Sequence, residues 1–117
     1  MDERTRKRLE MQTQLAYIEE LLYKLEGYEA KRKIGTIVLS LPGIDKIVEK
    51  LQRKGFTMHD DRSVFDLLGR LRAQISRSLA TGYESWMGPA EDVIVQQLRA
   101  YLTQKEATLR QGLRKAA

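Results

Sequence analysis

Apolar side chains recur every three or four residues in four separate segments, which is the spacing of one face of an α-helix. The first segment predicts a helix from about Glu3 to about Lys33. Its apolar stripe consists of Leu15, Ile18, Leu22 and Leu25. The β-branched stretch 34–39 is typical of a strand in other contexts, but no second candidate strand exists to pair with it. The pattern therefore predicts an all-α fold.

The second segment carries its apolar spacing across Pro42 and Gly43. A proline in a helix interior removes a hydrogen-bond donor and clashes with the preceding turn. We therefore expect either a kink or a break near Leu41, and in the second case Ser40 caps the new helix. Gly55 follows a basic last turn and is a typical helix stop.

Two further helices follow. Asp60 or Asp61 can cap the third, whose apolar stripe ends at Thr81 and Gly82. Pro89 opens the fourth, which runs toward the C-terminus and whose polar final turns are expected to fray. Short connections favour an antiparallel bundle of four to five helices with a kink or break near Pro42. We expect one domain over 1–117, in which 1–8 is a basic arm that either contacts a phosphate or stays flexible.

The composition excludes several classes of protein. The chain has no cysteine, which removes disulfides, thiolate metal sites and thiol nucleophiles and favours a reducing cytoplasm. No run of about 18 apolar residues is present, and the N-terminus lacks the apolar region of a signal peptide. We expect a soluble, cytoplasmic protein without membrane contact.

Candidate catalytic and metal-binding groups are few. His59 is the single histidine, and with Asp60 and Asp61 it forms a sequential cluster whose acids are already explained by capping. A second set of acids, which a solvated helix face explains better than a carboxylate metal site, comprises Glu19, Glu20, Glu26 and Glu29. No phosphate-binding or dinucleotide fingerprint occurs. We expect no cofactor, no metal and no enzymatic activity.

Charge gives the clearest functional indication. The formal net charge is +5, and it concentrates in the second half of the chain. Residues 62–82 hold four arginines against one aspartate, and residues 99–117 hold five basic residues against one glutamate. Such residues neutralise phosphates and bind polyanions in a salt-sensitive way. The candidate nucleic-acid-binding residues are Lys50, Arg53, Lys54, Arg70, Arg72, Arg77, Arg99, Lys105, Arg110 and Arg114. This hypothesis requires the arginines of two helices to converge on one surface.

Two aromatic residues stand in the segment between the third and fourth helices. Tyr83 and Trp86 can stack on unpaired bases. The alternative, which is the more common use of a lone tryptophan, is that Trp86 closes one end of the bundle.

A basic four-helix bundle of this size, without cysteine or catalytic groups, resembles the small subunits of CRISPR effector complexes. The residues that support the resemblance are of generic type: Lys50, Arg53, Lys54, Arg70, Arg77, Arg99 and Arg110. The resemblance implies a non-catalytic subunit that holds guide RNA, target DNA or a displaced DNA strand by its backbone. It also implies contacts with other protein subunits, including further copies of the same chain, through acidic patches on the first helix.

The competing interpretation is a helical protein-interaction adaptor or a homodimeric coiled coil without nucleic acid. The first helix has the heptad-like spacing that such pairing needs, because Leu15, Ile18, Leu22 and Leu25 fall on one side. An enzyme is a third alternative and depends on His59 alone.

Overall fold

The computed structural model describes residues 2–32, 40–80 and 89–115. Within these ranges the chain forms four α-helices and no strand, which confirms the predicted all-α bundle. The helices are α1 (Glu3–Arg32), α2 (Leu41–Arg53), α3 (Arg62–Ala80) and α4 (Pro89–Lys115). The apolar stretch 34–39 and the segment with Tyr83 and Trp86 lie outside the described residues.

Short polar side chains begin the first two helices. The Asp2 carboxylate accepts a 2.8 Å hydrogen bond from the backbone N–H of Thr5, and this bond lowers the pKa of Asp2 below its ordinary value. Ser40 has an extended backbone, and its Oγ accepts a 3.1 Å hydrogen bond from the N–H of Gly43. The predicted cap at Ser40 and the predicted helix start near Leu41 are therefore confirmed.

Gly55 ends α2 in the way the sequence predicts. It adopts a left-handed backbone with φ of 95°, and the N–H of Phe56 donates to the carbonyl of Leu51 at 3.0 Å. This is a Schellman motif, in which glycine is favoured because other residues are strained at positive φ. A Cβ at Gly55 would also lie 2.9 Å from Glu10 Oε1 on α1, so the glycine permits close approach of the α2 end to α1.

The core runs along the inner faces of all four helices. α4 packs against both α1 and α3, and α2 packs against α3. Ion pairs from Glu19 to Arg110 and from Glu26 to Arg99 show that α1 and α4 are antiparallel. The long first and last helices make the domain elongated, with extents of 53, 24 and 18 Å.

The predicted apolar stripes lie in this core. Ile18 and Leu25 of α1 are buried, and Leu15 and Leu22 pack against the core from its edge. Contributions from the other helices include Ile44, Leu51, Val64, Leu68, Leu71, Ile75, Val95, Leu98, Leu102 and Leu109. The stripe of α1 thus finds its partners within the same chain.

The two ends of the chain are helical. Residues 3–8 form the first two turns of α1, with exposed side chains, which confirms the helix start predicted near Glu3. The final turns of α4 continue as helix to Lys115, and Leu109 is buried. Burial of Leu109 against the core explains why the polar end of α4 stays helical.

Candidate nucleic-acid interface

The basic residues of α3 do not share one face. Arg70 and Arg77 are seven residues apart, so they fall on the same outward side of the helix, and both are exposed. Arg72 lies on the flank that faces α2, where its Nε donates to Asp45 Oδ1 at 2.8 Å and its second nitrogen donates to Oδ2 at 3.3 Å. This bidentate pair lowers the pKa of the Asp45 carboxyl.

The predicted arginines of α4 are engaged by α1. Arg110 donates to Glu19 Oε1 at 2.7 Å, and Arg99 lies 3.8 Å from Glu26 Oε1. Arg114 is exposed near the end of the helix. These pairs follow the seam between α1 and α4, whereas the Arg72 pair lies on the seam between α2 and α3.

The last predicted cation of α4, Lys105, faces the loop between α2 and α3. Its Nζ lies 2.9 Å from Asp61 Oδ1 and 5.8 Å from the centre of the Phe56 ring, a cation–π contact. Only 26% of the Lys105 side chain is exposed. Lys105 is therefore part of the fold and is poorly placed to meet a phosphate.

Asp61 is the centre of a polar anchor, which we define as Thr57, Asp61, Tyr101 and Lys105. The Asp61 side chain is 5% exposed. One carboxylate oxygen accepts from the N–H of Thr57 at 3.2 Å, and the other accepts from the Tyr101 hydroxyl at 3.4 Å. Burial, together with the negative charge of Asp61, raises the pKa of Tyr101. The carboxylate thus ties the α2–α3 loop to α4.

This geometry also changes the interpretation of the His59, Asp60 and Asp61 cluster. Asp61 directly precedes α3, but its carboxylate is directed into the polar anchor, whereas His59 and Asp60 are exposed. The buried carboxylate of Asp61 is thus engaged within the fold, while its two neighbours in the cluster face solvent. Within 2–32, 40–80 and 89–115, no group of three or more histidine, aspartate or glutamate residues is arranged to hold a metal ion.

The ten predicted residues therefore do not converge on a single electropositive patch. Those with a carboxylate partner include Arg53, Arg72, Arg99, Lys105 and Arg110. Exposed pairs of this kind contribute about 0–1 kcal/mol each, but a paired cation presents little net charge to a polyanion. The expectation of one patch made by α3 and α4 is wrong. The paired cations of these two helices contact carboxylates of α1, of α2 and of the loop between α2 and α3.

A different set of cations lies along α2 and at its C-cap residue, Lys54. Lys46, Lys50 and Lys54 are four residues apart and so fall on one side of the helix, at steps of about 6 Å along its axis. We call these three residues the lysine ridge. The two acids of α2 pair with arginines: Asp45 with Arg72, and Glu49, which is three residues from Lys46, with Arg53. Among the described residues, no carboxylate lies within ion-pair distance of the ridge.

The sequence reasoning found Lys50 and Lys54 but missed Lys46. The sequence feature that indicates Lys46 is the repeated four-residue spacing of the three lysines, which places like charges next to each other on a helix. Like charges at this spacing destabilise a helix by about 0.2–0.5 kcal/mol per pair. The helix dipole explains cations in the last turn of α2, such as Lys50, but not Lys46 near its start.

Comparisons with known proteins do not assign a family or a function to this chain. No protein-family model matches the sequence, and neither a curated protein nor a solved structure matches it. No described helix is both long and apolar enough to cross a membrane.

Proposed function

We propose that this domain is a non-catalytic module that binds the backbone of a nucleic acid, with the lysine ridge of α2 as its principal contact. The single observation that carries the proposal is the lack of compensation: Lys46, Lys50 and Lys54 share one helix side without an acidic partner among the described residues. Ammonium groups neutralise phosphates without reading base edges, so the binding is independent of sequence and sensitive to salt.

The predicted arginines have a secondary role in this proposal. Arg70 and Arg77 lie on the outward face of α3 and are exposed, so they can extend the contact to a second strand. Arg72, Arg99 and Arg110 already pair with carboxylates, and a phosphate would have to displace those partners. We therefore place them outside the contact, together with Lys105.

The wider context is also proposed. A helical bundle with one basic ridge is compatible with the role that the sequence resemblance to the small subunits of CRISPR effector complexes implies. In such an assembly, in the cytoplasm, the ridge would hold guide RNA, target DNA or a displaced strand, and other protein subunits would contact the remaining faces. Fold class and charge support this role, and they are generic features.

The interaction-module alternative has less support. Its proposed pairing stripe, Leu15, Ile18, Leu22 and Leu25, packs into the core of the same chain. The large apolar residues that are exposed in the described ranges are Leu9, Tyr23, Met58 and Val93. They stand on α1, on a loop and on α4, far apart in the chain, and do not continue the stripe.

The test compares two triple variants that remove equal charge. One replaces the ridge (Lys46→Gln, Lys50→Gln, Lys54→Gln), and the control replaces paired arginines (Arg72→Gln, Arg99→Gln, Arg110→Gln). Fluorescence anisotropy with labelled duplex and single-stranded oligonucleotides, between about 50 and 200 mM salt, gives the affinity and its salt slope.

We expect the ridge variant to lose about 2 to 3 units of salt slope and at least about tenfold in affinity at moderate salt. The arginine variant is expected to keep most of both. If the arginine variant loses the slope and the ridge variant keeps it, the contact lies on α3 and α4 and the ridge assignment is wrong. If the unaltered protein binds none of the probes, the proposed function fails.

A further inference from the structure

A deep groove separates α1 from α2. Its volume is about 750 Å³, which is within the range of small-molecule sites, about 300–1,000 Å³. Its floor consists of apolar side chains from α3 and α4: Val64, Leu68, Leu71, Leu98 and Leu102. Its walls include Tyr17 and Leu21 of α1 and Ile44 and Ile47 of α2. Charged side chains also line it, namely Lys24 and Glu26 of α1 and Lys46 and Lys50 of α2, so an apolar groove opens between charged edges.

The groove is narrow at its base. Leu68, Leu71 and Leu102 line it, yet each is only 1% exposed. A helix needs a slot about 10 Å wide, which a groove this narrow at its base does not offer. A slender, flexible hydrocarbon chain needs a smaller opening: it reaches the floor once the side chains above it move apart, and it gains about 0.8 kcal/mol for each buried methylene.

One polar group inside the groove lacks a partner. Tyr17 is 2% exposed and lines the groove, and its hydroxyl is buried without a hydrogen bond. An unsatisfied buried hydroxyl is costly and uncommon in native structures. Burial, with a smaller effect of Glu20, raises the pKa of Tyr17 to about 12. The hydroxyl is therefore protonated at neutral pH and available as a donor.

Two lysines of α2, Lys46 and Lys50, line the same groove. Gly55, at the end of α2, is next to Gln14 of α1. Tyr17 is one turn further along α1, so it lies opposite the last turn of α2, which carries Lys50. Lys46 lies one turn away on the same helix. The mouth of an apolar slot thus combines one neutral donor with positive charge.

We propose that this groove binds a long-chain carboxylate, with its hydrocarbon chain along the leucine floor and its carboxylate between the Tyr17 hydroxyl and Lys50. The two carboxylate oxygens match one phenol donor and one ammonium group. The charged lining favours an anion, because Lys24, Lys46 and Lys50 stand against the single acid Glu26 among the lining residues described. This inference goes beyond the proposed function and does not depend on it.

The test uses laurate as the probe, below its micellar concentration, with butyrate and dodecylamine as ligand controls. Calorimetric titration of the full chain measures stoichiometry and affinity. Ile47→Trp fills the groove from its half-buried wall, and Tyr17→Phe removes only the hydroxyl. Lys54→Gln is the matched control, because Lys54 belongs to the ridge but does not line the groove.

We expect one laurate to bind per chain, with butyrate and dodecylamine at least about tenfold weaker because one lacks the chain and the other has the wrong charge. Tyr17→Phe is expected to weaken laurate about tenfold, the usual effect of losing a hydrogen bond to a charged group. Ile47→Trp abolishes binding, and Lys54→Gln leaves it unchanged while still weakening nucleic acid.

Three results would overturn the inference. The first is no laurate binding by the unaltered, folded protein. The second is binding that Ile47→Trp and Tyr17→Phe both leave unchanged, which would place the ligand elsewhere. The third is a dimer in sedimentation that Ile47→Trp converts to a monomer, since a second copy would then cover the groove.

Discussion

The buried polar groups on the two sides of the bundle differ in whether the chain supplies their partners. On the α3–α4 side, Asp61 receives the Thr57 N–H, the Tyr101 hydroxyl and the Lys105 ammonium. On the α1–α2 side, the buried Tyr17 hydroxyl has no hydrogen bond. The buried Tyr17 and the partly buried Tyr101 thus differ in whether the fold supplies a partner for the hydroxyl.

The surface cations show the same contrast. Arg72, Arg99 and Arg110 hold carboxylates of neighbouring helices, whereas the lysine ridge next to the groove has no such partner among the described residues. Groups whose partners lie within the chain stabilise the fold. Groups that the chain leaves unsatisfied cost free energy, and this cost is understandable where an external ligand supplies the missing partner.

The largest effect is expected from Asp61→Ala, which removes the centre of the polar anchor. The change leaves the Thr57 N–H and Lys105 without their acceptor, and we expect unfolding free energy to fall by about 2–4 kcal/mol. Urea unfolding followed by far-UV circular dichroism measures this loss. Asp61→Asn keeps the size and part of the hydrogen bonding, so its loss should be smaller.

A smaller and opposite pair of effects is expected from the two tyrosines. Tyr101→Phe removes a donor to Asp61 and is expected to destabilise the fold by about 1 kcal/mol. Tyr17→Phe removes a hydroxyl that has no partner, so it is expected to leave stability unchanged or raise it by about 1 kcal/mol. The same urea titration, on protein freed of bound lipid, measures both variants.

Equal destabilisation by the two tyrosine variants would contradict the contrast between the two sides, because it would show that the Tyr17 hydroxyl has a stabilising partner. An Asp61→Ala variant as stable as the unaltered protein would also contradict this contrast. It would show that the polar anchor contributes little despite its burial.

Much of the fold follows from local sequence signals. Ser40 with Pro42 marks the start of α2, Gly55 marks its end, and three- and four-residue apolar spacing identifies core residues such as Ile18 and Leu71. These signals act within a few residues, where helix geometry fixes which side chains share a face. They are therefore readable without knowing how the helices pack.

The candidate site was only partly predictable, because ion pairing depends on packing. Arg110 and Glu19 are 91 residues apart in sequence, and nothing in either segment indicates that they meet. Counting charges therefore overestimated the free cations on α3 and α4. Lys46 could have been predicted as part of the ridge, because its four-residue spacing from Lys50 is visible in the sequence.

The central claim is that external ligands bind where the chain leaves its charges unpaired, and side-chain NMR tests it most directly. Lysine ε-methylene and arginine guanidinium signals are followed while a short oligonucleotide is added to the folded protein. We predict that the signals of Lys46, Lys50 and Lys54 shift together and saturate, while those of Arg72, Arg99 and Arg110 stay in place. Shifts confined to the three arginines, with a silent lysine ridge, would contradict the account.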